Sequence, residues 1–209
     1  MRFGAIVLCG GRSLRMGQDK SRLPVQHETL LQRILNRTRA GLLQVSPDPP
    51  VVVVSAADRQ LTDLPAWAHV TADRQPGEGP LRGLEAGLSA LCGLADAAFV
   101  TSCDVPFLEP AVIERLLMRL EGSRGLIAAE ESTGRLHPLC AVYAVDLLAD
   151  VQRLLAAGER RMQSLASCPG VARLDVRELL DVDASLSSLV NLNHPQDYAA
   201  ALARLSDSG

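Results

Sequence analysis

The chain has 209 residues, of which 47% are hydrophobic and 22% are charged, the balance of a folded globular domain. Its 21 lysines and arginines stand against 24 acidic residues, a net charge of -3, so it lacks the basic excess that binding to a polynucleotide requires. Only 3% of the residues are aromatic, which excludes a stacking surface for single-stranded bases. We therefore predict one domain over residues 1–209 that does not bind nucleic acid.

Targeting and membrane signals are weak. The apolar run over residues 3–9, which follows Arg2, resembles the start of a signal peptide, but it is short and ends in glycines without a cleavage pattern. A buried first strand is the alternative that we favour. No stretch approaches the roughly 18 apolar residues of a membrane span, and the five cysteines form no C-x-x-C pair. These features predict free thiols in a reducing compartment, hence a cytoplasmic protein without membrane contact.

Apolar runs and helical patterns alternate along the chain. Short β-branched or apolar runs predict strands buried on both faces at 6–8, 51–54, 69–71, 98–101, 126–128 and 140–143. Apolar residues with helical spacing predict helices around 30–35, 81–91, 112–120 and 147–155. This alternation implies βαβ crossovers and a three-layer α/β/α fold with a mostly parallel sheet. Ligands of such sheets bind beyond the carboxyl ends of the strands.

The loop after the first predicted strand has the composition of a phosphate site. Residues 8–20 include three glycines and three cations. Glycines such as Gly10 and Gly11 let backbone N–H groups approach an anion, and Arg15 and Lys20 would neutralise phosphate charge. The spacing matches neither a Walker A loop nor the dinucleotide fingerprint. A polyphosphate cradle is therefore one interpretation, and a glycine-rich turn with solvated cations is the other.

Two aspartates follow predicted strands. Asp104 lies just after the strand at 98–101, where one carboxylate beside a triphosphate is sufficient to hold Mg²⁺. The alternative is a cap for the turn ahead of Pro106 and for the next helix. Asp73 opens a second loop rich in Gly and Pro. It could accept from an amino group or hydroxyl of a ligand, or form an ordinary Asx-turn. The residues alone leave both pairs of alternatives open.

Five motifs together resemble one family. They are L-C-G-G-x-S-x-R-M-G-x-D-K at 8–20, G-P-L-x-G-L at 79–84, C-D-V-P-F at 103–107, P-L at 138–139 and N-L-N-x-P-x-D at 191–197. In this order they resemble the molybdenum cofactor guanylyltransferases, the family of molybdopterin-guanine dinucleotide biosynthesis protein A, over nearly the whole chain. The related cytidylyltransferases usually have Ala-Gly at 10–11 and a serine-rich loop at 79–81, so both loops here favour guanine.

The resemblance implies a Rossmann-like nucleotidyltransferase fold and a Mg²⁺-dependent transfer of GMP from GTP to molybdopterin. It assigns catalysis to Arg15, Lys20 and Asp104, with Asp104 as the Mg²⁺ ligand, and places Asn191 and Asn193 on the pterin side. It implies nucleotide binding by Leu8, Cys9, Gly10, Gly11, Lys20, Asp73, Gly79, Pro80, Leu81, Gly83 and Asp104. We further expect a monomer that contacts molybdoenzymes or cofactor carriers transiently.

Other functions stay open at this point. The chain could transfer a nucleotide from CTP to molybdopterin or from a nucleoside triphosphate to a sugar phosphate, or it could be a non-catalytic nucleotide-binding relative. Arg82 stands where the family usually has a small residue. It either adds a cation beside the base-reading loop or points outward along the following helix. The histidines receive no role.

Overall fold

The computed structural model describes residues 1–10, 20–57, 61, 63–73 and 78–206. The strands are β1 (Phe3–Cys9), β2 (Pro24–Val25), β3 (Glu28–Thr29), β4 (Val51–Ala56), β5 (Ala68–Asp73), β6 (Ala97–Ser102), β7 (Gly125–Glu130), β8 (Arg135–Ala144) and β9 (Val171–Asp175). The α-helices are α1 (Leu30–Leu42), α2 (Pro80–Leu91), α3 (Pro110–Met118), α4 (Leu148–Ala156) and α5 (Pro195–Ser206). Short 3₁₀ turns occur at Lys20–Arg22, Val145–Leu147, Met162–Ser167, Val176–Leu179 and Ser187–Leu189.

One sheet organises the described residues. Its seven strands lie in the order β5-β4-β1-β6-β8-β7-β9, and a separate hairpin pairs β2 with β3. β8 runs antiparallel to β6 and β7, whereas β5, β4, β1 and β6 run parallel to one another and β9 runs parallel to β7. The predicted α/β fold with a mostly parallel sheet is therefore confirmed. β1 and β6 are adjacent at the centre, so their carboxyl ends meet in the middle of one sheet edge.

Apolar side chains pack on both faces of the sheet. The side chains of α1, α3 and α5 form one cluster with alternate residues of the strands, and those of α2 and α4 form the second cluster on the opposite face. α1 begins with a capping box in which Thr29 accepts from the backbone N–H of Gln32 and the Gln32 side chain accepts from that of Thr29. None of the helices found in the described residues is long and apolar enough to cross a membrane.

Several expectations about the elements were wrong or incomplete. The run at 69–71 was expected to be buried on both faces, but β5 is an edge strand and Val70 is 53% exposed. The chain turns directly from β7 into the antiparallel β8, without the crossover helix that parallel strands need. Neither β9 nor α5 was predicted, and Ser206, which was expected to fray, is the last residue of α5. The run at 3–9 forms the central strand β1, as favoured over a signal peptide.

Candidate active site

Three distant segments meet beyond the carboxyl ends of β1 and β6. The ammonium of Lys20 lies 3.3 Å from Oδ2 of Asp104 and also donates to the backbone carbonyl of Leu192. Both side chains of this ion pair are largely buried, with 16% and 17% of their surface exposed. The partial burial strengthens their interaction relative to a surface pair. A cation from the first loop is therefore held against a carboxylate from the end of β6.

Asp104 accepts hydrogen bonds through both carboxylate oxygens and through its backbone carbonyl. Its Oδ1 accepts from Ser102 Oγ at 2.5 Å and from Asn191 Nδ2 at 3.4 Å. Its backbone carbonyl accepts from the N–H of Leu192 at 2.8 Å. Asp104 does not cap the next helix, because α3 begins after Glu109 as its N-cap residue. The described bonds of its carboxylate go to side chains. The structure thus brings together Lys20, Asp104 and Asn191, three residues that the family resemblance assigns to the site.

Helix α1 fixes the loop that follows Asp104. Arg33 donates from Nε to the carbonyl of Pro106 at 2.9 Å, and Arg37 donates from Nε to the carbonyl of Leu108. Arg37 also pairs with Glu109 at 2.8 Å. Burial lowers the pKa of Arg33, although a guanidinium remains charged in proteins. These bonds to carbonyl groups order the backbone between the candidate metal ligand and α3.

Residues 190–197, the closing segment of the site, supply Asn191 and the Leu192 carbonyl to the contacts of Asp104 and Lys20. Oδ2 of Asp197 accepts from the N–H groups of Asn193 and His194, both at 2.8 Å, and these bonds hold the pKa of Asp197 below its usual value. The side chain of Asn193 is exposed, whereas that of Asn191 reaches Asp104. Asn191 and Asn193 line an open groove of about 490 Å³ together with residues of α5. A substrate beside Asp104 could extend into this groove.

The residues predicted to contact the nucleotide occupy different environments. Gly79 has a φ of +90°, and an added Cβ would lie 3.0 Å from the carbonyl of Arg160, so this position requires glycine. A Cβ at Gly83 would lie 3.3 Å from Leu8, so α2 packs closely against the end of β1.

The side chains of Leu8, Cys9 and Leu81 are buried in the core, which leaves mainly their backbone for a ligand. Pro80 is the first residue of α2, and Gly10 lies exposed just after β1.

Arg82 points along α2 towards carboxylates of its own helix and of the preceding loop. Its Nη2 lies 2.8 Å from Glu78, and its Nη1 lies 2.9 Å from Glu85. Hydrogen bonds to Glu85 and Glu78 raise the pKa of Arg82. Arg160 approaches the same oxygen of Glu78 at 3.7 Å. The guanidinium thus lies along α2 beside Glu85, as the second interpretation expects, but it is only 21% exposed and also pairs with Glu78 of the preceding loop. These two carboxylates neutralise its charge.

Some predicted site residues lie outside the described residues. Gly11 and Arg15 fall between residues 10 and 20, and of Asp73 the structure describes the backbone, which ends β5 beside Ala56 of β4. Their assigned roles stay predictions.

The sequence did not predict two described groups of the site, the hydroxyl of Ser102 and the carbonyl of Leu192, each of which contacts Asp104 or Lys20. It also missed that the hydroxyl of Ser55, near the end of β4 beside Cys9, is buried and finds no hydrogen-bond partner among the residues that the structure describes.

The donor set suits a metal ion that arrives with its nucleotide. In the parts of the chain that the structure describes, no three His, Cys, Asp or Glu side chains lie close enough to hold a metal by themselves. Mg²⁺ is commonly bound by one or two carboxylates together with phosphate oxygens and waters. The single Asp104 carboxylate, beside the cationic Lys20, fits a Mg²⁺ ion that is also bound by phosphate oxygens. It does not fit a permanently bound structural metal.

Comparison with known proteins identifies the family. The MobA-like NTP transferase domain matches residues 5–173. The chain belongs to this family. The matched range contains Lys20 and Asp104 and ends before Asn191, which lies within the longer matches to individual relatives.

Relatives match almost the full length. A probable molybdenum cofactor guanylyltransferase of Chloroflexus aggregans is 35% identical over 215 residues, covering 98% of this chain and 96% of that protein. The molybdenum cofactor guanylyltransferase of Rhodobacter capsulatus is 33% identical, with 98% and 97% covered. The crystal structure of molybdopterin-guanine dinucleotide biosynthesis protein A from Archaeoglobus fulgidus superposes with a TM-score of 0.78 at 25% identity, over 99% and 100% of the two chains. This MobA-like chain is thus a nucleotidyltransferase.

Proposed function

We propose that the protein transfers GMP from GTP to the terminal phosphate of molybdopterin, with Mg²⁺, and releases pyrophosphate. The observation that carries this proposal is the joint position of Lys20, Asp104 and Asn191 at the carboxyl ends of the central strands. It is supported by relatives that are named molybdenum cofactor guanylyltransferases and match over most of their length. The guanine-type loops at 10–11 and 79–81 favour GTP over CTP.

The reaction needs charge neutralisation more than a base. An oxygen of the molybdopterin phosphate forms a bond to the α-phosphorus of GTP, and the bond from that phosphorus to the bridging oxygen breaks. The electron pair leaves with pyrophosphate. Because the attacking phosphate is already an anion, no side chain has to remove a proton from it. Catalysis then consists of positioning and of stabilising the negative charge that develops on the phosphate oxygens.

Each described residue has a distinct part in this proposal. Lys20 binds phosphate oxygens, and its bond to the carbonyl of Leu192 orients the ammonium. Asp104 would hold Mg²⁺, which neutralises phosphate charge and orients the triphosphate when bound. Ser102 and Asn191 fix the Asp104 carboxylate through its Oδ1. Arg15 is the second predicted cation of the phosphate site.

The two substrates would approach from opposite sides of Asp104. We expect GTP at the carboxyl end of β1 and the start of α2, and the acceptor in the groove along residues 190–197. The groove contains both Asn191 and Asn193, the residues expected on the pterin side. The acceptor phosphate would then meet the α-phosphate beside Asp104.

We expect Lys20→Ala and Asp104→Ala to abolish transfer, with a loss of about a thousandfold or more in kcat. Lys20→Arg is expected to restore little, because a planar guanidinium does not reproduce the compact ammonium between Asp104 and the Leu192 carbonyl. Pyrophosphate release from GTP in the presence of molybdopterin is the measurement. Circular dichroism and melting temperature check that the variants remain folded.

An exposed pair supplies the matched control. Arg2→Ala and Asp96→Ala remove a cation and a carboxylate whose pairing at 3.3 Å lies at the surface, and both should retain full transfer. Wild-type turnover by Lys20→Ala or Asp104→Ala would contradict the proposal. A wild-type protein that uses CTP in preference to GTP would contradict the assignment of guanine.

A further inference from the structure

A buried carboxylate lies behind the closing segment of the site. Asp183 is 6% exposed, and its two oxygens accept three hydrogen bonds from the next turn of the chain. Oδ1 accepts from the N–H of Ser187 at 3.0 Å and from its hydroxyl at 3.1 Å, and Oδ2 accepts from the N–H of Ser188 at 2.7 Å. Among the described residues, no Lys, Arg or His nitrogen pairs with Asp183. The negative charge is therefore held by neutral donors of one short turn.

These bonds are strong enough to keep the group ionised. Burial acts to raise the pKa of Asp183, but the donors of Ser188 and Ser187 outweigh it and lower the pKa below its usual value. The bonds also stabilise a backbone conformation that costs free energy, because Leu186 has a φ of +50°, in the left-handed region. The turn Ser187–Leu189 thus depends on the carboxylate for its shape.

The turn is connected to the loop that carries Asp104. The hydroxyl of Ser188 accepts from the N–H of Glu109 at 2.9 Å and lies 3.5 Å from the carbonyl of Phe107, to which it donates. Phe107 and Glu109 belong to the loop between Asp104 and α3 that Arg33 and Arg37 also bind. Displacement of the turn would remove one of the supports of that loop.

The turn also leads directly into the residues that contact Asp104 and Lys20. The N–H of Val190 donates to the carbonyl of Ser187 at 3.1 Å, which sets the direction of the chain into Asn191. Asn191 donates to the Asp104 carboxylate, the N–H of Leu192 donates to the Asp104 carbonyl, and the carbonyl of Leu192 accepts from Lys20. A single turn therefore supports both the loop of Asp104 and the segment of Asn191.

We propose that Asp183 is a positioning residue for nucleotidyl transfer, whose carboxylate fixes the turn Ser187–Leu189 and thereby holds Asn191 and Leu192 against Asp104 and Lys20. The inference rests on the proposed function for its kinetic part, and on the described contacts for its structural part. Asp183 acts through other residues, since none of its bonds reaches Asp104 or Lys20. Its loss should impair the chemical step more than the binding of GTP.

The test compares Asp183→Asn with Asp181→Asn. Asparagine keeps the size of the side chain but presents N–H groups where the backbone of Ser187 or Ser188 needs an acceptor. Asp181 lies two residues earlier and pairs with Arg115 at the surface, so its variant removes the same charge from the same loop. Four quantities are measured for each protein: kcat, KM for GTP, the amide hydrogen exchange rates of the free protein, and the melting temperature.

We expect Asp183→Asn to lower kcat about tenfold or more while KM for GTP changes by less than about twofold. The amide of Leu192, which donates to the Asp104 carbonyl, should exchange about tenfold faster, whereas the amides of β1 and β4 should be unaffected. Asp181→Asn should match the wild type in kcat, KM and amide exchange, and its melting temperature should fall by no more than the few degrees that an exposed ion pair contributes. A purely structural role predicts instead a lower melting temperature with unchanged kcat in the folded protein, which would overturn the proposal.

A second variant keeps the test decisive if Asp183→Asn does not fold. Ser188→Ala leaves the carboxylate and the backbone donors in place and removes the bridge from the turn to Glu109 and Phe107. It should lower kcat and speed exchange at Glu109 and Leu192 in the same direction. Unchanged kcat in Ser188→Ala would then overturn the proposal. If the wild type shows these protected amides but no transfer from GTP, the proposed function fails while the described role of the turn survives.

Discussion

Arg82 is a cation next to a predicted base-reading loop, yet its guanidinium is bound by Glu78 and Glu85. Because the two carboxylates already neutralise the guanidinium, its attraction for a bound nucleotide is weak. Arg82→Ala is therefore expected to change kcat/KM for GTP by less than about threefold and to leave the preference for GTP over CTP intact. Competition assays with both nucleotides measure this preference.

Arg153→Ala is the matched control for Arg82, because Arg153 also pairs with a carboxylate of its own helix and is largely exposed. Arg153→Ala should lose at most about 1 kcal/mol of stability, the usual value of an exposed ion pair, and Arg82→Ala should lose somewhat more because its side chain is only 21% exposed. A loss of more than about tenfold in kcat/KM for GTP in Arg82→Ala alone would show that this arginine contacts the nucleotide.

Individual residues differ in how far the sequence reveals their role. The position of Asp104 after a strand left a metal ligand and a cap as alternatives, and the family resemblance favoured the metal ligand. The structure places its carboxylate against Lys20 and Asn191. Lys20 carries one further signal, because it is the only lysine among the 21 lysines and arginines of the chain, and an ammonium is the more compact, point-like cation. Asp183 was missed, since its role depends on a turn shape that the D-x-x-x-S-S spacing suggests but does not determine.

At the scale of elements, the close packing of α2 on β1 limits the side chains at their contact. A Cβ at Gly87 would lie 2.6 Å from Cγ2 of Ile6, which is fully buried in β1. We expect Gly87→Ala to lower the free energy of unfolding by about 1–2 kcal/mol, because the cost of overpacking exceeds the gain in helix propensity. Urea unfolding measures the change.

Ser89→Ala lies at an exposed position of the same helix. It measures the effect of alanine on helix propensity where the side chain crowds no buried neighbour. It should leave stability unchanged or raise it by a few tenths of a kcal/mol. A Gly87→Ala protein that is as stable as Ser89→Ala would mean that β1 and α2 separate without cost.

The predicted elements were those with strong hydrophobic patterns. The apolar runs that form β1, β4 and β6 are buried and were found from the sequence. β9 was missed because it is short and only Leu174 is buried in it, and α5 was missed because it buries only Ala201 and Leu205. The antiparallel direction of β8 was not predicted, because side-chain alternation is the same in both strand directions.

For the whole molecule, acid stability depends on carboxylates that are held ionised by hydrogen bonds. The hydroxyl of Ser164 and the N–H groups of Arg161 and Arg160 lower the pKa of Glu159 from its usual 4.5 to about 2, and Arg177 lowers that of Asp175 from 3.8 to about 2. A depressed pKa stabilises the fold above the unfolded pKa, and the stabilisation is lost as the pH falls towards the folded value. The melting temperature should therefore decrease between about pH 4.5 and pH 2.

Glu159→Gln tests this dependence directly. Its melting temperature should lie below that of the wild type at pH 7, and the two values should converge as the pH approaches 2. Glu121→Gln, which removes an exposed carboxylate just beyond α3, should follow the wild type throughout. A difference between Glu159→Gln and the wild type that stays constant from pH 7 to pH 2 would contradict the assignment.

The bond from Lys20 to the carbonyl of Leu192 joins residues 172 positions apart. On the ribosome, Lys20 would emerge roughly 10 to 30 s before Leu192 at ordinary rates of synthesis. During that interval a nascent chain has the lysine and then Asp104, but neither has its contacts from the segment of Asn191. Catalytic competence therefore arrives late in translation, so incomplete chains should hydrolyse or transfer little nucleotide even when their first strands have already folded.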